Sequence, residues 1–423
     1  MSTRTAGWSA HRDSAAPRII QIVNNDFGIR NTMGARAWHI ARAWAAQTGA
    51  SEPGSPSAAD GFRPDDLLVF ARGSDAAAAR EFPVRRCGLG SLGSKALAAL
   101  QLYLWHGFPH KTIRDRAFHR SVERGLLATN PSRLRLVHSW VAVSAELARL
   151  RQRVPGLVTL YDTSMTPDQE QVQHRFAGFD YFLAPSPVVA EGLTRWGVDP
   201  SRIFQVPFGV DVELFQPAPD WPARLDPTGA TTSGAATPGA TTSGAKGPAP
   251  LRVAFTGQLS ARKGIPELLQ AWDALMAAPD SAPHAELHLY GRVYPEVRSQ
   301  LIELDRRHIV LHGFVDLTAE LPANHLYVLP SHREGSAKSV YEALACGLPV
   351  ITTEETGSVV RDGVEGFIVP AGDPQTLATR LSTLLTDTPL RLRMATAART
   401  RSQEFTWQRY GESVVNVYRN LLE

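Results

Sequence analysis

An alternation of strand and helix patterns that stops near residue 216 and resumes at residue 251 constrains this chain more than any other feature. Residues 18–24 (RIIQIVN) read as a buried strand that runs into the polar loop NNDFGIRNTMG. A helical pattern follows from Ala35 to Gln47 and is ended by Gly49. Further strands are predicted at 67–71, 134–138, 157–161, 181–184 and 203–207, with helical patterns between most of them. Residues 217–250 break this order. They contain the repeat GATTSGA and the run ATTSGAATPGATTSGAKGPAP, which has no apolar periodicity, and they read as a flexible linker. After it, strands are predicted at 251–256, 285–290, 309–312, 326–329 and 348–352. Helices are predicted at 266–277, 294–305, 336–346, 373–386 and 389–403, with a final amphipathic helix from Trp407 to Leu422. Strand-helix alternation of this kind builds parallel, doubly wound sheets, so two similar α/β domains are expected. Such sheets bind ligands outside the carboxyl ends of their strands, and two facing sheets put a cleft between them.

At 423 residues the chain exceeds one ordinary core, which agrees with two domains. A net charge of +3 is small for this length and does not argue for nucleic acid. Cys87 and Cys346 cannot make a disulfide framework, which favours a reducing compartment. Residues 1–17 have no apolar core of a signal peptide, and no stretch reaches the roughly 18 apolar residues of a membrane span. A cytoplasmic protein is expected, either soluble or peripheral at the inner face of a membrane.

The segment EGSAKSVYEALACGLPVI carries the most chemistry. Glu334 precedes its helical pattern and Glu342 lies within it, a rise of roughly 12 Å over eight residues. That is about the distance between the hexose and ribose ends of a sugar nucleotide. The N–H groups around Ser336 and Ala337, at the helix start, suit a diphosphate. Two glutamates at this spacing also arise by chance in helices. Glu342, however, sits among Val340, Tyr341, Ala343, Leu344, Ala345 and Cys346, where a carboxylate without a partner is costly.

After strand 251–256 comes TGQLSARKGIPELLQAW. Gly257 allows a tight turn, and Arg262 and Lys263 form a cationic pair aimed at the same cleft, fit for a diphosphate leaving group. A solvated basic loop is the plainer alternative. His138 ends the strand LRLVH, and Tyr161 and Asp162 end GLVTLYD, so these side chains are placed towards the cleft. His138 also reads as a satisfied structural histidine, and Asp162 as a turn cap. Between Arg85 and Arg153, Lys95, Lys111, Arg114, Arg116, Arg120, Arg124, Arg133 and Arg135 flank the apolar run ALAALQLYLWHGF. An anionic membrane surface would suit such a stretch, and a core helix beside a solvated face is the competing reading.

With these segments in place, the chain resembles the family-4 glycosyltransferases with the GT-B fold. The resemblance is carried by FLAPSPVVAEGLTRWGVDPSRIFQVPFGVDVELF, VAFTGQLSARKG, LYGR, HGFVD and EGSAKSVYEALACGLPVITTEETGSVVRDGVEGFIV. It is weak before residue 134. It implies retaining, metal-independent transfer of a hexose from a UDP- or GDP-linked sugar to a carbohydrate, small-molecule or lipid-linked acceptor, with no cofactor. By the family's pattern Glu334 holds sugar hydroxyls and Glu342 the ribose. Lys263 neutralises the diphosphate beside the N–H groups of Gly335, Ser336 and Ala337. The turn around Phe314 and Val315 holds the base. Three positions depart from that pattern. Gln258 stands where the family has arginine, and Arg262 is expected to stand in for it. Tyr161 stands where the family has a histidine that contacts the donor sugar. The glycine-rich loop of the first domain is reduced to Gly34.

The expected organisation is an acceptor-side domain over 17–216, a linker over 217–250 and a nucleotide-sugar domain over 251–406, with helix 407–423 packing back on the first domain. Three rivals are a non-catalytic sugar-nucleotide-binding or partner subunit, a nicotinamide-dependent oxidoreductase, and a phosphorylase-like enzyme of the same fold. The second is weakened because no G-x-G-x-x-G follows the first strand. The third lacks a lysine assignable to pyridoxal phosphate.

Overall fold

The computed structural model describes residues 17–27, 32–48, 66–74, 84–87, 110–226, 250–277, 285–303 and 308–423. The chain divides into two compact units. The first holds residues up to Ala184, with Ala190–Val206 and Gln408–Glu423; the second holds Pro185–Val189 and Pro207–Trp407.

The first unit is built on a parallel sheet. Its strands are β1 (Ile19–Phe27), β2 (Leu67–Ser74), β3 (Val84–Arg86), β4 (Leu136–Ser139), β5 (Val158–Asp162), β6 (Tyr181–Ala184) and β7 (Ile203–Gln205). They lie in the order β3-β2-β1-β4-β5-β6-β7, so the direction of winding reverses between β1 and β4. Helices α1 (Thr32–Gln47), α2 (His110–Ala128), α3 (Ser144–Arg153) and, from Ala190 onward, α4 (Pro187–Arg195) punctuate the strands. Strand β1 supplies Ile19, Ile20, Ile22 and Val23, all fully buried, as expected of a strand covered on both faces.

The second unit repeats the plan with β8 (Leu251–Thr256), β9 (Ala285–Tyr290), β10 (Ile309–Gly313), β11 (Leu326–Leu329), β12 (Val350–Thr353) and β13 (Gly366–Val369). Their order is β10-β9-β8-β11-β12-β13, all parallel, with the reversal between β8 and β11. The helices here are α5 (Ile265–Ala277), α6 (Pro295–Glu303), the single turn α7 (Leu317–Glu320), α8 (Lys338–Ala345), α9 (Pro374–Thr386) and α10 (Thr388–Ser402). The last helix, α11 (Trp407–Leu422), belongs from Gln408 onward to the first unit. There Tyr410 and Tyr418 are buried at 3% and 0% exposure.

Three expectations are corrected. The first third of the expected linker is packed structure. Trp221 Nε1 donates to the Gly347 carbonyl (3.2 Å), and the Arg224 guanidinium donates to the carbonyls of Pro322 and Ala323. Leu225 is fully buried, and its carbonyl accepts from the buried Arg391. Residues 227–249 of the linker lie outside the described residues. Second, helix α8 begins at Lys338, two residues later than expected, because Ala337 is held extended as its N-cap. Third, the strands β3 and β13 escaped the sequence reading. Both are short edge strands, of three and four residues, at the outer ends of their sheets.

Candidate active site

In the second unit the chemistry gathers where the winding reverses. The loops after β8 and β11, the two central strands, meet there, the position at which doubly wound sheets bind ligands. Gly257 follows β8 at φ +133°, a conformation that favours glycine, and a Cβ there would meet Lys263 Cε and Nζ at 3.7 Å. The chain then makes one tight helical turn over Ala261–Lys263 and leaves it through Gly264 at φ +74°. A Cβ on Gly264 would come within 2.0 Å of the Pro330 carbonyl oxygen, so only glycine lets the two loops approach.

That approach brings the cations to Glu334. Lys263 Nζ lies 2.9 Å from Glu334 Oε1, and Arg262 donates to the same oxygen at 2.5 Å. Arg262 also donates to the Arg333 carbonyl (2.7 Å) and accepts through its own carbonyl from His332 N–H (2.9 Å). His332 is tied in turn to Glu267 on α5 (3.0 Å). Lys263 and Glu334 are mostly buried, whereas Arg262 is 39% exposed. Arg262 is expected to act as a phosphate cation in place of the arginine that Gln258 replaces. The structure places its guanidinium on Glu334, and Gln258 is exposed in the neighbouring turn.

The segment between the two glutamates is held by β12 and the turn after it. Glu334 N–H donates to the Glu355 carbonyl (2.9 Å) and Ala337 N–H to the Thr356 carbonyl (3.0 Å). The Ala337 N–H is therefore already taken, against the expectation that it faces a ligand. Among the described residues, the N–H groups of Gly335, Ser336, Lys338 and Ser339 have no such carbonyl partner. They are donors at the start of an eight-residue helix, where an anion is favoured. The Ser336 hydroxyl turns inward and bonds Tyr341 Oη (2.8 Å). Glu342, one face of α8 further on, is 7% exposed; burial pushes its carboxyl up and Lys338 pulls it back.

The expected base-holding turn stands out by its exposure. Phe314 is 86% exposed and Val315 37%, between Gly313 at φ +67° and Asp316, whose carboxylate caps α7 by accepting from Thr318 N–H. A phenyl ring so open to water is a ready stacking surface. Two residues earlier in the chain, His312 stacks on Tyr290 (4.3 Å) and bonds His288 Nδ1 (2.8 Å).

The first unit places its candidates differently. His138 is fully buried, Asp162 is 3% exposed and Arg36 1% exposed. Arg36 donates to Asp162 Oδ1 (2.5 Å) and Ser164 Oγ (2.9 Å), and Tyr410 donates to Asp162 Oδ2 (3.3 Å). Tyr418 Oη accepts from Gln21 Nε2 (3.0 Å) and bonds His138 Nδ1 (2.6 Å). Burial and the Arg36 charge push the His138 pKa well down. Arg36 was absent from the sequence reading, although an arginine in the apolar helix ARAWHIARAW was a visible signal. Tyr161 is half-buried, its ring 4.4 Å from Phe176 and 4.9 Å from Phe179. Gly34 lies in the first turn of α1. The run ALAALQLYLWHGF and Lys95 lie outside the described residues, as do the side chains of Lys111 and Arg114.

Two doubly wound parallel sheets, with a carboxylate and a cation pair at one switch point, are the build of a GT-B glycosyltransferase. Two family models match, "Glycosyltransferase Family 4" over residues 64–214 and "Glycosyl transferases group 1" over residues 250–387. The chain belongs to this family of glycosyltransferases. It is 29% identical over 310 residues to a D-inositol 3-phosphate glycosyltransferase of Xylanimonas cellulosilytica, covering 66% of this chain and 70% of that one. Its fold matches sucrose-phosphate synthase of Thermosynechococcus elongatus, with TM-score 0.64, 19% identity, and 96% and 99% of the two chains covered. It also matches Anabaena HepE in complex with UDP-glucose, with TM-score 0.62, 16% identity, and 95% and 99% covered.

Proposed function

We propose that this glycosyltransferase is a metal-independent, retaining hexosyltransferase that uses a UDP- or GDP-linked hexose. The observation that carries the reading is the shared oxygen of Glu334, held by Lys263 and Arg262 beside the donors of Gly335, Ser336, Lys338 and Ser339. In this reading Glu334 accepts hexose hydroxyls, Lys263 and the start of α8 hold the diphosphate, Glu342 takes the ribose diol and Phe314 stacks on the base. The C1–oxygen bond to the diphosphate breaks on the face where the acceptor oxygen attacks, and the departing phosphate oxygen takes the acceptor proton. Catalysis is then positioning and charge stabilisation. Inositol 3-phosphate, named for a relative, is the first acceptor to assay, alongside glycans and lipid-linked sugars.

A thermal-shift screen against UDP-, GDP- and ADP-hexoses, followed by donor hydrolysis and product NMR, tests this. Stabilisation by one donor, slow hydrolysis and retained anomeric configuration are expected. Binding without hydrolysis or transfer to any acceptor would favour a non-catalytic subunit, and an inverted product would overturn the retaining mechanism.

A lipid-linked acceptor adds an expectation. Among the described residues no helix is long and apolar enough to cross a membrane. The exposed Arg116, Arg120, Arg124 and Arg135 would instead meet anionic lipid headgroups. The protein should sediment with anionic vesicles at low salt and be released as salt rises; equal recovery with neutral vesicles counts against the surface.

A further inference from the structure

Lys338 is the first residue of α8, 43% exposed, and its ammonium lies 3.4 Å from Glu342 Oε1, one helical turn on. Glu342 itself is buried. The other titratable groups set against its carboxylate are neutral at physiological pH. These are Tyr327 on β11, whose hydroxyl bonds Thr256 Oγ1 (3.0 Å), and the Cys346 thiol just past the end of α8; burial pushes both well up. Arg399 acts on Cys346 and donates to the Ala345 carbonyl (2.7 Å). Among the described residues, Lys338 is thus the cation in direct contact with Glu342.

A ribose offers two adjacent hydroxyls. A carboxylate accepts from both, whereas a neutral acid accepts from one and must donate at its other oxygen. Bonds to the charged form are also roughly twice as strong. We propose that Lys338 is a positioning residue for nucleotide recognition, holding Glu342 as the anionic acceptor that a ribose diol requires. The inference rests on the donor-site reading above. It adds a residue whose part is played through Glu342, and it makes Lys338 distinct from the phosphate-facing Lys263.

The experiment is calorimetric titration of UDP and GDP, and of their 2′,3′-dideoxy analogues, from mildly acidic to mildly alkaline pH. The proteins are wild type, Lys338→Met, Lys338→Arg, Glu342→Gln and the Lys338→Met/Glu342→Gln double variant. Lys338→Met should lose about tenfold in affinity at the acidic end and recover towards the alkaline end. Lys338→Arg should follow wild type. The loss should vanish with the dideoxy nucleotides and in the Glu342→Gln background, since the two residues act as one unit. A pH-independent loss, equal for ribose and dideoxy nucleotides, would overturn the proposal and make Lys338 a phosphate cation. No loss at any pH would reduce the pair to a surface contact. If Glu342→Gln leaves UDP and GDP affinity unchanged, the ribose assignment falls and this proposal falls with it.

Discussion

Glu334→Ala and Lys263→Ala each lower the transfer rate at least about a hundredfold, near 3 kcal/mol of barrier, with circular dichroism unchanged. In the proposed reading Lys263 faces the departing diphosphate, and its side chain is 12% exposed, a setting where a cation is worth more than in water. In the same reading Glu334 accepts from the hexose hydroxyls and so orients the sugar. Removing either leaves the other without its ion pair across 2.9 Å, so the two losses are non-additive in the double variant. Activity within a few-fold of wild type for either variant would end the site assignment. Arg262 separates two roles within the same constellation. Its guanidinium bonds Glu334 and the Arg333 carbonyl, so Arg262→Ala should slow transfer while leaving the affinity for free UDP or GDP nearly unchanged. A matching drop in free-nucleotide affinity, with rescue by Gln258→Arg, would return Arg262 to the phosphate.

Asp162→Ala is expected to destabilise the first unit by about 3–5 kcal/mol, a shift on the order of 10 °C in its melting step. Asp162 sits at the end of β5, and Arg36 on α1 reaches it at 2.5 Å with almost no exposure on either side. Burial pushes the Asp162 carboxyl up, and the Arg36 charge and the hydrogen bonds of Tyr410 and Arg36 pull it partway back. Removing the carboxylate strands a guanidinium in the interior, the costly way to break a buried pair. The replacement Asp162→Asn keeps one acceptor oxygen for Arg36, its amide N–H can donate to the Tyr410 hydroxyl, and it should cost less. Differential scanning calorimetry resolves the question, because two units need not melt together. If Asp162→Asn retained the melting temperature but lost turnover, the residue would touch substrate instead of holding α1 and α11 in place.

How much of this was legible beforehand depends on the range of the interaction. Glu334 and Glu342 announced themselves because eight residues of one segment fix their spacing, and the hydrophobic period around Glu342 showed that it would be buried. The cation pair was visible in the same way, at the end of a strand with glycines beside it. The partner of each charge was not. Arg262 meets Glu334 across 72 residues, and Tyr418 meets His138 across 280.

The sequence alone determined two doubly wound α/β domains and the residue types at the donor loops. Side-chain periodicity is a local property, and it reports which face of an element is apolar. Only the tertiary structure decided that β8 and β11 are neighbours, and hence that Arg262, Lys263 and Glu334 share one oxygen. It also decided that the Ala337 N–H is taken by Thr356, that residues 217–226 are packed, and that His138 and Asp162 lie in an interior network closed by α11. Each of these is a pairing of groups distant in the chain, chosen by strand order and burial.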